Sequence, residues 1–166
     1  MLEERYIIEV EESKMVLPIP FARREDWYLT EFRVRRFTSI GMEPTWSIIL
    51  NTESTKSEKC EITLKPKDVV YLIKSIDELC ICSMSTEQYN IGKDNSYFEI
   101  VTYRDGDIVG KIYTTETETA DDDVATELKD IEWIKDVTPL GVISLRNIIL
   151  SKIEETNKNL SKGDTK

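Results

Sequence analysis

From Arg5 to Thr115 apolar and polar residues alternate in short runs, and this alternation restricts the fold more than any other feature of the chain. A period of two turns one side of each run toward a core and the other toward water, as in half-buried antiparallel strands. Tyr6, Ile8 and Val10 alternate with Arg5, Ile7, Glu9 and Glu11. Between Thr30 and Phe37, Phe32 and Val34 oppose Arg33, Arg35 and Phe37. Trp46, Ile48 and Leu50 form one apolar side, and Cys60, Ile62 and Leu64 the next. Later, Phe98 and Ile100 alternate with Tyr97, Glu99, Val101 and Tyr103. Asp105-Gly106 then supplies a hairpin turn, with Ile108 to Thr115 as the return strand.

Breaks in the alternation mark the other elements. Pro18-Ile19-Pro20 stops strand pairing, and Phe21 to Trp27 is expected as a short helical turn. Gly41 and Pro44 punctuate the next connection, and the polar run 51–59 reads as a loop. Pro66 opens a helix: Asp68 suits its first turn, and Val69, Leu72, Ile73, Ile76 and Leu79 make an apolar stripe. Cys80 to Met84 returns to strand, and 86–96 is expected to be a loop. Asp121, Asp122 and Asp123 sit where a helix N-terminus favours acids, with Val124, Leu128, Ile131 and Ile134 following at helical spacing. Thr138-Pro139 has the form of a cap and first helical position, leading into a last helix with Val142, Leu145, Ile149, Ile153 and Leu160.

The fold class expected is α+β in a single domain over 1–160, with a frayed tail at 161–166. It is a twisted antiparallel sheet of about six or seven strands, with one central helix and C-terminal helices packed on one face. Ile62-Thr63-Leu64 runs into the helix at Pro66, and Val142-Ile143-Ser144-Leu145 runs into the last helical pattern, so strands followed by a helix occur twice. In element order this resembles the doubled plan of four strands and a helix in Whirly-type and PUR-type single-stranded nucleic-acid binders. The resemblance implies a sheet face that binds single strands. The Thr138-Pro139 start departs from that plan, because it makes 142–145 helix instead of a fourth strand.

Charge and composition narrow the function. The chain has 22 Lys+Arg against 32 Asp+Glu, a net charge of -10, and no histidine. Nine acids and two bases fall within 116–136, which carries -7 of that charge. Without histidine the commonest general base, triad partner and metal ligand are all missing. No glycine-rich phosphate loop and no G-x-S-x-G elbow occurs. Cys60, Cys80 and Cys82 lack a fourth zinc ligand, and consecutive acids at 121–123 point about 100° apart on a helix. Neither a metal nor a cofactor is expected, and catalysis is not.

An acid-rich start, no apolar stretch long enough to span a bilayer, and an odd number of cysteines lead to the expectation of a cytoplasmic protein that does not engage membranes. The function expected is a non-catalytic protein-binding module of inhibitor or immunity type. Glu116, Glu118, Asp121, Asp122, Asp123 and Glu127 would dock a basic surface on the partner. The alternative is a nucleic-acid face of Arg33, Arg35, Phe37, Lys65, Tyr103, Lys111 and Tyr113, with cations for phosphate and rings for stacking. Acids assigned to the same side, among them Glu61, Glu99 and Asp107, weigh against it. Arg23-Arg24, beside Trp27-Tyr28 and with Arg33, Arg35 and Arg36 nearby in sequence, is the most basic neighbourhood. Homo-oligomerisation is left open.

Overall fold

The computed structural model describes residues 4–50, 61–91, 97–117, 128–141 and 143–163. Nine strands form one antiparallel sheet: β1 (Glu4–Val10), β2 (Ala22–Tyr28), β3 (Phe32–Ser39), β4 (Thr45–Leu50), β5 (Glu61–Leu64), β6 (Cys82–Asn90), β7 (Tyr97–Asp105), β8 (Ile108–Thr117) and β9 (Ile134–Gly141). Their spatial order is β5-β4-β3-β2-β6-β7-β8-β1-β9, so the first strand is inserted between two of the last. Helix α1 (Pro66–Leu79) links β5 to β6, and α2 (Leu145–Gly163) follows β9. The α+β class and the large antiparallel sheet are as expected, with more strands than the alternation alone reveals. Among the described residues, no helix is long and apolar enough to cross a membrane.

Four expectations are corrected. Phe21 to Trp27 is not a helical turn: β2 occupies Ala22–Tyr28 and pairs with β3 on one side and β6 on the other. Its alternation is masked because Arg23-Arg24-Glu25-Asp26 puts charge on both sides of the strand. The expected loop at 86–96 begins later, since β6 continues to Asn90. The helix expected through Ile134 and the cap expected at Thr138-Pro139 give way to β9, where Ile7 pairs with Thr138 and Tyr6 with Pro139. β9 is an edge strand, the position where a residue without an N–H costs no ladder bond. The helix cap lies further on, at Ser144, whose Oγ accepts the Asn147 N–H at 3.3 Å.

The hairpin behaves as its sequence dictates. Asp105 pairs with Ile108, and Gly106 takes φ 55°, the left-handed conformation that a two-residue hairpin turn requires. Helix α1 has the expected bounds but a narrower buried stripe. Val69 and Ile76 are buried, while Val70, Tyr71, Ile73 and Leu79 face solvent.

Both faces of the central strands are buried. On one face Tyr28, Cys82, Met84, Val101, Tyr103 and Ile112 pack with Leu145, Ile149 and Ile153 of α2. A wholly buried isoleucine such as Ile149 contributes about 1.5–3 kcal/mol by leaving water. On the far face Tyr6, Ile8, Tyr89, Phe98 and Val137 pack with Leu128, Trp133 and Ile134. The Phe98 ring meets Trp133 edge-on at 5.1 Å and stacks on Tyr113 at 5.9 Å. The ring of Tyr103 lies over Gly110, in the space a side chain there would need.

Candidate functional site

Register decides which side chains share the α2 face. Asp26 pairs with Arg35 of β3 and Met84 of β6, while Arg24 pairs with Phe37 and Thr86. Gln88 pairs with Glu99, and Glu99 with Thr114. A polar row therefore crosses β3, β2, β6, β7 and β8 beside the apolar cluster that α2 covers.

The row is held by charge-assisted contacts. Asp26 is 0% exposed; its carboxylate accepts from Arg35 Nε at 2.7 Å and Nη2 at 3.4 Å. This fork matches the planar guanidinium to both carboxylate oxygens, the strongest geometry for such a pair. Arg24 Nε lies 3.6 Å from Asp26 Oδ2, and its Nη2 lies 3.9 Å from Glu99 Oε1. Glu99, 1% exposed, also accepts from Gln88 Nε2 at 2.7 Å and from Thr114 Oγ1 at 3.2 Å. Burial lowers the Arg35 pKa, with Asp26 opposing that shift and Arg24 and Arg33 adding to it.

A second group adjoins the first at Tyr28. Arg33 Nη1 donates to the Tyr28 hydroxyl at 3.0 Å, and its guanidinium lies 5.5 Å from the ring centre. Arg146, in the first turn of α2, lies 5.7 Å from the same ring. Burial raises the Tyr28 phenol, as does Asp26, while Arg33 lowers it. The thiol of Cys82 is pushed up to about 11, first by burial and then by Asp105, with Arg146 pulling the other way. Arg24 and Arg35 thus engage the two buried carboxylates Asp26 and Glu99, while Arg33 and Arg146 gather at Tyr28, with Asp105 as a half-buried third acid at the strand end. Among the described residues, the buried Nε–H groups of Arg33 and Arg146 and the Thr86 hydroxyl have no hydrogen-bond partner, and the same holds for Arg36 Nε on the far face.

The seven residues expected to form one open nucleic-acid face are divided. Arg33, Arg35, Phe37 and Tyr103 share the α2 face, where Tyr103 is buried and Arg35 is engaged with Asp26. Lys111 and Tyr113 lie on the far face, because Tyr103 pairs with Gly110 and the parity of the chain reverses across the hairpin. Lys65 caps the start of α1, its carbonyl accepting the Asp68 N–H at 2.9 Å. Tyr113 donates to the Glu12 carboxylate and is pushed up to about 12, by burial first and by that hydrogen bond next.

Of the acidic set, Glu116 is a β8 position paired with Arg5 and Tyr97. Glu118, Asp121, Asp122, Asp123 and Glu127 lie outside the described residues. Arg24, Asp26, Glu99 and Arg146 were not singled out as site residues by sequence. The spacing Ala22, Arg24, Asp26 and Tyr28 held the signal for two of them, since charges there occupy positions whose neighbours are buried. Among the described residues, no three acids or cysteines converge as a metal site would require.

No known protein-family model matches the chain, and no curated protein matches it. Among solved structures it is similar to that of a putative adenylate cyclase from Bacillus halodurans, at 12% identity and a TM-score of 0.41. That likeness covers 76% of this chain and 86% of the other. It is too slight to carry over an activity.

Proposed function

We propose that this is a non-catalytic binding protein whose α2 face holds a small anionic ligand, a phosphate or carboxylate compound. Arg33 and Arg146 are its direct contacts. The observation that carries this reading is the pair of buried Nε–H groups on those two arginines, which find no acceptor among the described residues. A buried donor left unmade costs roughly 1–3 kcal/mol, more when charged, so two on guanidiniums beside the one Tyr28 ring favour an anion there. The first turn of α2 supports the same reading, because the helix dipole favours negative charge there. Arg35, Asp26, Arg24 and Glu99 serve as the frame behind these contacts. The free thiol of Cys82 suits a reducing cytoplasm.

Thermal unfolding under titration with inorganic phosphate and pyrophosphate tests the proposal. A bound ligand at a hundredfold its Kd adds about 2.7 kcal/mol. The midpoint should rise for the native chain and not for Arg33→Ala with Arg146→Ala, while Lys111→Ala on the far face keeps the shift. An equal shift in the double variant, or none in the native chain, overturns the site.

A second reading concerns a protein partner. It is supported by the -7 charge of 116–136, whose described part leaves Lys129, Asp130 and Glu132 exposed. The inhibitor or immunity-type role stays with this stretch. Capture of a basic partner that weakens with salt and is lost when Asp121, Asp122 and Asp123 become Asn would support it; capture unaffected by those changes would remove it.

A further inference from the structure

We propose that two copies of this chain associate by antiparallel pairing of their β5 strands across a twofold axis at Thr63. β5 ends the sheet, and among the described residues it pairs only with β4, so one row of its backbone groups is available. An exposed edge of this kind is a template for another strand unless it is blunted. The charges that would blunt it against a foreign strand are here placed to match a second copy. Glu61-Ile62-Thr63-Leu64-Lys65 is self-complementary when read against itself in the opposite direction. Thr63 then meets its own copy, Ile62 meets Leu64, and Glu61 meets Lys65, twice by symmetry. Residues directly opposite on antiparallel strands interact most strongly, and opposite charges there attract.

Exposure agrees with that pairing. Glu61 and Lys65 are both solvent-facing, and neither side chain is ion-paired among the described residues. Ile62 is 57% exposed although it lies in a strand, and Leu50 on neighbouring β4 is 43% exposed. A twofold axis perpendicular to the sheet keeps Ile62 and the copy's Leu64 on one face, so the contact hides apolar surface as it joins backbones. It is isologous, hence closes at two copies instead of growing into a filament. This proposal uses none of the arginines on the α2 face and stands apart from the ligand reading.

Sedimentation of the full chain over a concentration series should give a reversible monomer–dimer equilibrium. Glu61→Lys places like charges opposite each other twice and should raise the dimer dissociation constant about tenfold. The swapped variant with Glu61→Lys and Lys65→Glu restores the pairs and should return the constant to within a few-fold of the native value. Thr63→Cys should give a dimer linked through residue 63 on mild oxidation. A native chain that stays monomeric at every concentration overturns the proposal. So does a dimer indifferent to Glu61→Lys, or a swapped variant no better than the single one.

Discussion

Strands β6 to β8 are buried on both sides, and the two sides are built from different materials. The far face is aromatic and aliphatic: Phe98 stacks on Tyr113 and meets Trp133 edge-on, and its polar groups sit at the margin as the Tyr89–Glu87 and Tyr113–Glu12 contacts. The α2 face mixes an aliphatic patch with Arg24, Asp26, Arg35 and Glu99. Apolar packing asks only for shape and volume. A buried charge asks for a partner at each atom, and excess cations without acceptors are a reason to look for a ligand. The difference separates a face held mainly by apolar packing from one built on buried charge, where Arg33 and Arg146 still have donors to satisfy.

Removing one residue from each face gives the largest effects and the sharpest contrast. Asp26→Ala leaves Arg35 and Arg24 facing each other and should cost about 3–5 kcal/mol in urea unfolding. Phe98→Ala opens a cavity of aromatic size and should cost a similar amount, about 3–5 kcal/mol. The two then part: added phosphate should stabilise Phe98→Ala only as much as it does the native chain, its arginine site being intact, and Asp26→Ala by more, since the anion also replaces the lost carboxylate. Equal stabilisation would erase the distinction. Gly110→Ala is next, at about 1–3 kcal/mol, because the Tyr103 ring must leave its place over the glycine. A companion Tyr103→Phe in the same background should recover little, since the ring itself is what the new Cβ meets.

The smallest effect is read in alkali. Tyr89 and Tyr113 are both pushed from 10 to about 12, burial being the first cause and a carboxylate hydrogen bond the next. A raised phenol pKa means the folded chain holds the proton more tightly than the unfolded one. That stability is complete below the unfolded value and is lost as pH climbs through 10 toward 12. Tyr28 shifts in the same direction, so Tyr89→Phe with Tyr113→Phe should flatten the decline between about pH 10 and about pH 12 without abolishing it. An unchanged slope would show that these two phenols titrate alike in both states.

How much of this was readable in the chain depends on where charge fell. β1, β3, β4 and the β7–β8 hairpin follow their alternation, and α1 keeps the bounds that Pro66 and its stripe suggest. β2 was hidden by the feature that makes it interesting: Asp26 is a charge in a core position, so its strand has no apolar side to detect. Thr138-Pro139 imitates a helix start because an edge strand accepts proline for the same reason a first helical turn does, the missing N–H being unneeded. The proposed nucleic-acid face failed to stay together through parity. Tyr103, Lys111 and Tyr113 are all odd-numbered, yet the two-residue turn at Gly106-Asp107 sends them to opposite sides. Arg146 carries no local signal at all; only the packing of α2 brings it to Tyr28.

The insertion of β1 between β8 and β9 has a consequence for the order of folding. Its partners are more than a hundred residues away, Ile7 opposite Thr114 and Ile8 opposite Val137, so no early fragment of the chain can satisfy it. β2 to β4 by contrast join near neighbours, Tyr28 opposite Arg33 and Phe37 opposite Thr45. Closing so long a loop costs entropy that only the finished sheet repays, which gives the topology a high contact order and a slow last step. During synthesis β1 emerges before the other strands of its sheet and is placed last. Pulse-labelled hydrogen exchange should find the β2–β3 amides protected before those of β1, and simultaneous protection would contradict that order.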